Sequence, residues 1–215
     1  MVQLSTREDL HQELMGATSA RQGQVLWVDS NNGNDGNPGA DPRHALLTLT
    51  RALAMSEAGD TIRLAPGGSE TVTTSLAMNK ARVKVICEVS SPRQGFELNG
   101  ATSLDLLTCS AGDCHVEGLH FSRVAGAGAT TAGLLTTAAA DRLTVKNCFF
   151  DDSAVTSSWV GYGIEVTNAC QGLAVLDCLF IDHHRSVIFV NTDTAQIGTL
   201  VEGWRLWHGS GSARF

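Results

Sequence analysis

The chain has 215 residues, of which 43% are hydrophobic, 17% charged and 6% aromatic, with 22 glycines and a formal net charge of −7. That length and apolar content suit one domain with a real core. The acidic balance excludes the basic footprint of a nucleic-acid binder, and no segment approaches the roughly 18 uninterrupted apolar residues of a membrane-spanning helix.

Residues 1–23 stand apart. Met1 to Leu10 carry neither a basic n-region nor an apolar run, so no secretory leader is read and folding in a cytoplasm is expected. Ser5 and Glu8 have capping-box spacing. Leu10 and Leu14 lie four apart on one helix face, and Gly16 ends the pattern. This segment is either a short helix capping one end of the domain or an arm that docks onto a neighbouring subunit. Gln24 to Asp29 reads as a strand. Ser30 to Pro42 is a loop of Asn, Gly and Asp, residues that tolerate left-handed and turn conformations. Asn31, Asn32, Asp35 and Asp41 lack the ligand order of an EF-hand, so turn chemistry is the favoured reading. Leu46, Leu49, Leu53 and Ala54 follow a helical period, which predicts a helix running to about Ala58.

Gly59-Asp60-Thr61-Ile62-Arg63-Leu64 then opens a series of short strands, expected near residues 71–76, 82–88, 96–98, 104–109, 114–121, 132–137, 143–150, 163–168, 173–180, 187–191 and 199–207. The series is periodic. Val116-Glu117-Gly118-Leu119-His120-Phe121, Val145-Lys146-Asn147-Cys148-Phe149-Phe150, Val175-Leu176-Asp177-Cys178-Leu179-Phe180 and Val201-Glu202-Gly203-Trp204-Arg205-Leu206 share one form. Each has an apolar residue, any residue, a small turn former, an apolar residue, any residue and an apolar residue. With Val85, the anchor valines recur at roughly 30 residues, a period that signals a solenoid. A second column is expected at Leu106, Leu135, Val166 and Val190. Coils of this length hold two or three strands, each pairing in parallel with its copy one coil away. Inward ladders are then expected: valine over valine, Cys148 over Cys178, and Phe121 over Phe150 over Phe180. Gly118, Asn147, Asp177 and Gly203 should mark equivalent corners. The six cysteines, Cys87, Cys109, Cys114, Cys148, Cys170 and Cys178, form no CxxC; they are expected to be reduced core residues, with a Cys148–Cys178 bridge as the alternative. No cofactor is expected.

Trp27-Val28-Asp29, Gly33-Asn34-Asp35-Gly36, Leu49, Ala52-Leu53, Gly59-Asp60-Thr61-Ile62 and Pro66-Gly67 together resemble the opening of right-handed parallel β-helix proteins of the pectate-lyase-like superfamily. The resemblance covers residues 25–207. It implies an all-β, right-handed parallel β-helix of about five coils, with the first helix as a cap. Domain limits follow: a terminal arm at 1–23, the β-helix at 24–207 and a tail at 208–215. This opening, with Pro66, Gly67, Glu70 and Thr71 and the Val-x-Asn-Cys-x-Phe coils, also resembles bacteriophage virion proteins in which a small β-helix is a capsid-associated component. Tailspikes, a neighbouring group, use longer trimeric β-helices to bind or cleave polysaccharide.

The best enzymatic constellation is Asp151 and Asp152 after one anchor strand, with Asp182 and His183 after the next. Carboxylates on stacked coils suit glycoside chemistry. The competing reading is solvated corner residues. Polygalacturonase-like enzymes carry a Gly-His-Gly and an Arg-x-Lys downstream, and neither follows Asn191-Thr192-Asp193 here. Asp182, His183 and His184 are weak as a metal set, since neighbours on a strand face opposite ways. Trp159 and Tyr162, at an insertion, could stack on a sugar or bury. At the C-terminal end Trp204, Leu206 and Trp207 have little chain left to cover them, so a subunit contact is expected there, with Leu10 and Leu14 at the other end. The resulting expectation is a non-enzymatic structural protein of a phage virion: a homotrimer on the capsid surface that binds the major capsid protein or another virion protein. The alternatives are a carbohydrate-active β-helix and a non-catalytic glycan-binding adhesin.

Overall fold

A computed structural model describes residues 23–101, 104–124, 132–137, 139–151, 162–167, 170–181, 186–191, 200–203 and 205–207. The chain is a parallel β-helix. After β1 (Val25–Val28) and the short helix α1 (Leu49–Met55), the first coil runs through β2 (Thr61–Leu64), β3 (Ser69–Val72) and β4 (Leu76–Met78). The second holds β5 (Lys84–Ile86), β6 (Phe96–Ala101) and β7 (Leu107–Cys109); the third β8 (His115–Glu117), β9 (Leu119–Val124) and β10 (Ala132–Thr136). The fourth holds β11 (Thr144–Lys146), β12 (Phe149–Asp151) and β13 (Tyr162–Thr167); the next β14 (Ala174–Leu176), β15 (Leu179–Ile181) and β16 (Ser186–Asn191). Then come β17 (Leu200–Glu202) and β18 (Arg205–Trp207). Among the described residues the strands form three parallel sheets: sheet A in the order β1-β2-β5-β8-β11-β14-β17, sheet B in the order β3-β6-β9-β12-β15-β18 and sheet C in the order β4-β7-β10-β13-β16.

The register is the predicted one at the anchors. Ile62, Val85, Val116, Val145, Val175 and Val201 pair in succession along sheet A. In sheet B, Phe121, Phe150 and Phe180 stack with ring centroids 4.7 and 4.8 Å apart and planes within 6°. The repeat is one strand in the sequence reading and two in the structure. Gly118, Asn147, Asp177 and Gly203 take φ of 71°, 49°, 52° and 66°. These left-handed residues end the sheet A strand and turn the chain into sheet B. Backbone bonds run along this corner: Gly118 N–H donates to Lys146 O, Asn147 N–H to Leu176 O and Asp177 N–H to Glu202 O.

The second predicted column holds in its later half, where Val166 pairs with Val190, and slips in its earlier half. Leu135 pairs with Thr108 and Glu165 and faces outward; the inward column is Leu76, Leu107, Leu134, Ile164 and Ile188, with Met78, Cys109, Thr136 and Val166 beside it. Neighbouring leucines at 106–107 and 134–135 make the alternation ambiguous, and a one-residue slip exchanges the faces. Helix α1 is also shorter than predicted. Leu46 lies outside it, bridged to Val28. Thr48 caps its start, and at its end Ser56 turns extended while its hydroxyl donates to Leu53 O.

All six cysteines are buried and free. Burial pushes the Cys87 thiol up to about 11. Burial, then the neighbouring Cys178, also raises Cys148. The sulfurs of Cys148 and Cys178 reach Lys146 O and Leu176 O at 3.2 and 3.3 Å, so the pair stacks as core rather than bridging.

The motif residues of the opening are structural. Asp35 accepts from Leu47 N, Thr48 N and Thr48 Oγ1. Glu70 sits at the register of Leu98 and accepts from Leu49 N at 2.6 Å and from the Thr50 hydroxyl. Together they satisfy the orphan donors at the start of α1. Asp60, 1% exposed, accepts from Gln24 N at 2.7 Å and Glu57 N at 2.8 Å. Asp60→Ala should therefore cost about 2 kcal/mol, because two part-buried N–H donors lose a charged acceptor. Urea unfolding measures it; Lys84→Ala, on the exposed outer face of sheet A, should change stability by less than about 0.5 kcal/mol.

Candidate functional site

The outer face of sheet B carries two columns. Glu97, His120, Phe149, Leu179 and Arg205 form one, and Asn99, Ser122, Asp151 and Ile181 the other. Phe149 and Ile181 are only 2% and 7% exposed despite pointing outward. His120 stacks on Phe149 at 4.4 Å, and the Arg93 guanidinium lies over the same ring at 4.8 Å. His120 Nε2 is 3.9 Å from Asp151 Oδ2 and is buried without a hydrogen-bond partner among the described residues. A reacting atom would have to reach a nitrogen that solvent does not touch, so this pair is poorly placed for proton transfer.

Arg93 comes from an eight-residue insertion, 88–95, between β5 and β6. In later coils a single left-handed corner residue stands between or near those strands, and here the chain instead makes a 3₁₀ turn at Pro92–Gln94. The insertion reaches over two coils. Asn147 Nδ2 donates to Val89 O at 2.9 Å across 58 residues of sequence. On its far side lies a groove of about 820 Å³, lined by Ser90, Arg93, Asn147, Asp177, Leu179 and Arg205. On its near side a smaller groove of about 320 Å³ includes Trp27, Arg63 and Glu88, with the Arg63 guanidinium 5.6 Å from the Trp27 ring and 3.0 Å from Glu88.

Sheet A's outer face is occupied by ion pairs. Glu117 accepts from His115 at 2.9 Å and Lys146 at 3.0 Å. Burial raises its carboxyl, but those two partners outweigh it and hold the group below its ordinary range.

The two ends of the stack differ. At the first end Trp27 N–H donates to Gly39 O, Leu46 N–H to Trp27 O and Asp29 N–H to Leu46 O, so the free edge of β1 is closed by the loop before α1. At the last end Leu200 and Val201 are 50% and 38% exposed, whereas Val85, Val116, Val145 and Val175 of the same column are 0% exposed. Among the described residues nothing caps the column at this end.

Of the residues singled out in the sequence, Asp151 is on the outer face of sheet B, paired in register with Ile181 rather than with an aspartate. Tyr162 begins β13 and is 8% exposed, so it offers no open ring face for a sugar. Leu206 and Trp207 lie on the last strand of sheet B. Leu10, Leu14, Asp152, Trp159, Asp182, His183 and Trp204 lie outside the described residues. Sequence reasoning missed Arg93 and His120. His120 is partly buried against Phe149, its side chain 17% exposed. The signal for Arg93 was available: the coil anchored on Val85 needs eight more residues than its neighbours to reach the next inward position. Among the described residues no cluster of three His, Cys, Asp or Glu side chains suits a metal ion, and no helix is long and apolar enough to cross a membrane.

No family model and no curated protein matches the chain. Solved structures do. A rhamnogalacturonan lyase superposes with a TM-score of 0.56 at 14% identity, over 86% of this chain and 52% of that one. A GH136 lacto-N-biosidase from Eubacterium ramulus gives a TM-score of 0.47 at 14% identity, over 93% of this chain and 36% of that one. The chain spans about half the length of the lyase. At this identity the likeness shows the architecture alone: this chain shares the parallel β-helix fold found in a carbohydrate-active enzyme.

Proposed function

We propose that this chain is a non-catalytic structural component of a bacteriophage virion, a decoration or cement protein that holds its neighbours through the open end of the stack. The observation that carries the reading is the asymmetry of the ends. One edge is closed by the 29–47 loop and α1, while β17 leaves Leu200 and Val201 exposed on a parallel edge that no described strand pairs. Such an edge invites strand pairing or subunit contact. Homotrimerisation, with attachment to the major capsid protein, is the assembly this reading expects; the phage setting rests on the resemblance of the opening and the coils. The carboxylates of Asp35, Asp60 and Glu70 support it indirectly, since backbone donors engage them and none faces an open cleft.

Val201→Lys tests it. The substitution sits on an already exposed position of the last strand, so the stack should remain folded. In co-sedimentation with purified particles of the phage that encodes the chain, it should lower occupancy by about tenfold, the effect of losing roughly 1.4 kcal/mol of apolar contact. Full occupancy of the variant, or absence of the wild-type chain from particles, would overturn the reading.

A second reading is favoured by one feature, the grooves along the corner between sheets A and B, on a fold shared with a rhamnogalacturonan lyase. It requires sugar release from a polysaccharide panel that disappears in Asp151→Ala.

A further inference from the structure

The groove beyond the 88–95 insertion brings two arginines together. Elsewhere Arg63 pairs with Glu88 at 3.0 Å, and Arg142 with Asp113 through two bonds, one of 2.8 Å. Arg93 and Arg205 line the same groove, both are exposed, and neither has a carboxylate partner among the described residues. In a chain of net charge −7, two guanidiniums against one carboxylate, Asp177, in the groove's described lining are a local reversal of sign. Arg93 lies over Phe149, and Arg205 is two strands further along the same outward column. At the parallel-strand spacing this separates the two cations by roughly 10 Å along the stack. Leu179 supplies an apolar floor between them, and Ser90, Ser91 and Asn147 supply neutral polar groups on the wall.

The corner column adds a backbone donor. Gly118, Asn147 and Asp177 each donate their N–H to the next coil, and Gly203, the last of the series, has no such acceptor among the described residues. Gly203 lines the groove. One end of the groove therefore offers an N–H and a guanidinium together, and the other offers Arg93.

We propose that this groove binds an extended acidic peptide segment of a partner protein, with two carboxylates three residues apart seated on Arg93 and Arg205 and a backbone carbonyl received by Gly203 N–H. In the polyproline II conformation a chain advances about 3.1 Å per residue with three residues per turn, so carboxylates three apart fall on one face and match the roughly 10 Å between the cations. Carboxylate on guanidinium is a charge-assisted, geometrically selective contact. A glycan is the less favoured occupant because sugar rings bind on open aromatic faces, and among the described residues the ring under Arg93, Phe149, is 2% exposed. The inference deepens the attachment reading by giving the partner's chemistry, and it concerns a side groove rather than the open end.

The test uses the whole chain and a fluorescein-labelled peptide, Gly-Glu-Ser-Thr-Glu-Gly, followed by anisotropy. Binding should fall about tenfold in Arg205→Glu, fall similarly when both glutamates of the peptide become glutamine, and stay unchanged in Lys84→Glu, which removes the same charge from the outer face of sheet A. Amide NMR shifts should centre on Asn147, Asp177 and Gly203. Equal loss in Arg205→Glu and Lys84→Glu, no binding by the wild-type chain, or tighter binding of tetragalacturonate than of the peptide would overturn the proposal. None of these outcomes bears on whether Val201→Lys releases the chain from particles, so the two failures are distinguishable.

Discussion

Gly118→Ala is expected to destabilise the chain by about 4 kcal/mol or more and to abolish soluble expression at ordinary temperatures. Two effects add. Gly118 has φ of 71°, a conformation that costs an L-residue roughly 1–2 kcal/mol. A methyl group there would also lie 2.0 Å from the carbonyl oxygen of Cys87 and 2.9 Å from its carbonyl carbon. Those are backbone atoms of the coil before, held by the bond from Cys87 N–H to Glu117 O, so the clash is relieved only by parting two coils. The same corner predicts the opposite sign elsewhere. Asp177, at φ of 52° and exposed, should gain roughly 0.5–1 kcal/mol on replacement by glycine. Asn147→Gly should lose about 1 kcal/mol despite the same backbone benefit, because Asn147 Nδ2 ties down Val89 O in the insertion. Denaturant midpoints of the three variants check the order. A Gly118→Ala protein as stable as wild type would mean that the corner is not built as described.

Phe150→Ala should cost about 4–5 kcal/mol. Phe150 is 1% exposed and lies between Phe121 and Phe180, stacked on each at under 5 Å. Truncating a buried phenylalanine typically costs 3–5 kcal/mol, and the loss of two ring contacts places this one at the upper end. Phe121→Ala, which breaks one contact instead of two, should cost about 1 kcal/mol less. Phe150→Leu should cost about 1–2 kcal/mol, since volume is mostly kept. Urea unfolding followed by far-ultraviolet circular dichroism separates these values. Equal costs for Phe121→Ala and Phe150→Ala would remove the ladder from the account.

The ladder and the corners were legible because they recur. Valines about 30 residues apart and a small residue two places after each carry both the coil length and the site of the turn, and the structure places Gly118, Asn147 and Asp177 where that pattern requires. What repetition did not fix, physics left ambiguous. Paired leucines at 106–107 and 134–135 allow two registers, and only packing against Ile164 selects one. The six-residue motif reads as one strand because a left-handed residue carries no polarity signal of its own. The functional surface was less legible still. Asp35, Asp60 and Glu70 attract attention as carboxylates in motifs, yet their partners are backbone donors 13 to 36 residues away in most cases, which only the fold reveals. Arg93 reaches its place over Phe149 through an insertion that breaks the period, and a period-based reading passes over such a segment.

The central functional claim is that the open end of the stack is an attachment surface. Amide hydrogen exchange of the chain free and bound to purified particles tests it most directly. Binding through the open end should slow exchange across Leu200–Glu202 and Arg205–Trp207 by at least about tenfold while leaving β1 and α1 unchanged. Protection confined to the outer face of sheet C or to the closed end, with β17 and β18 exchanging as in the free chain, would contradict it.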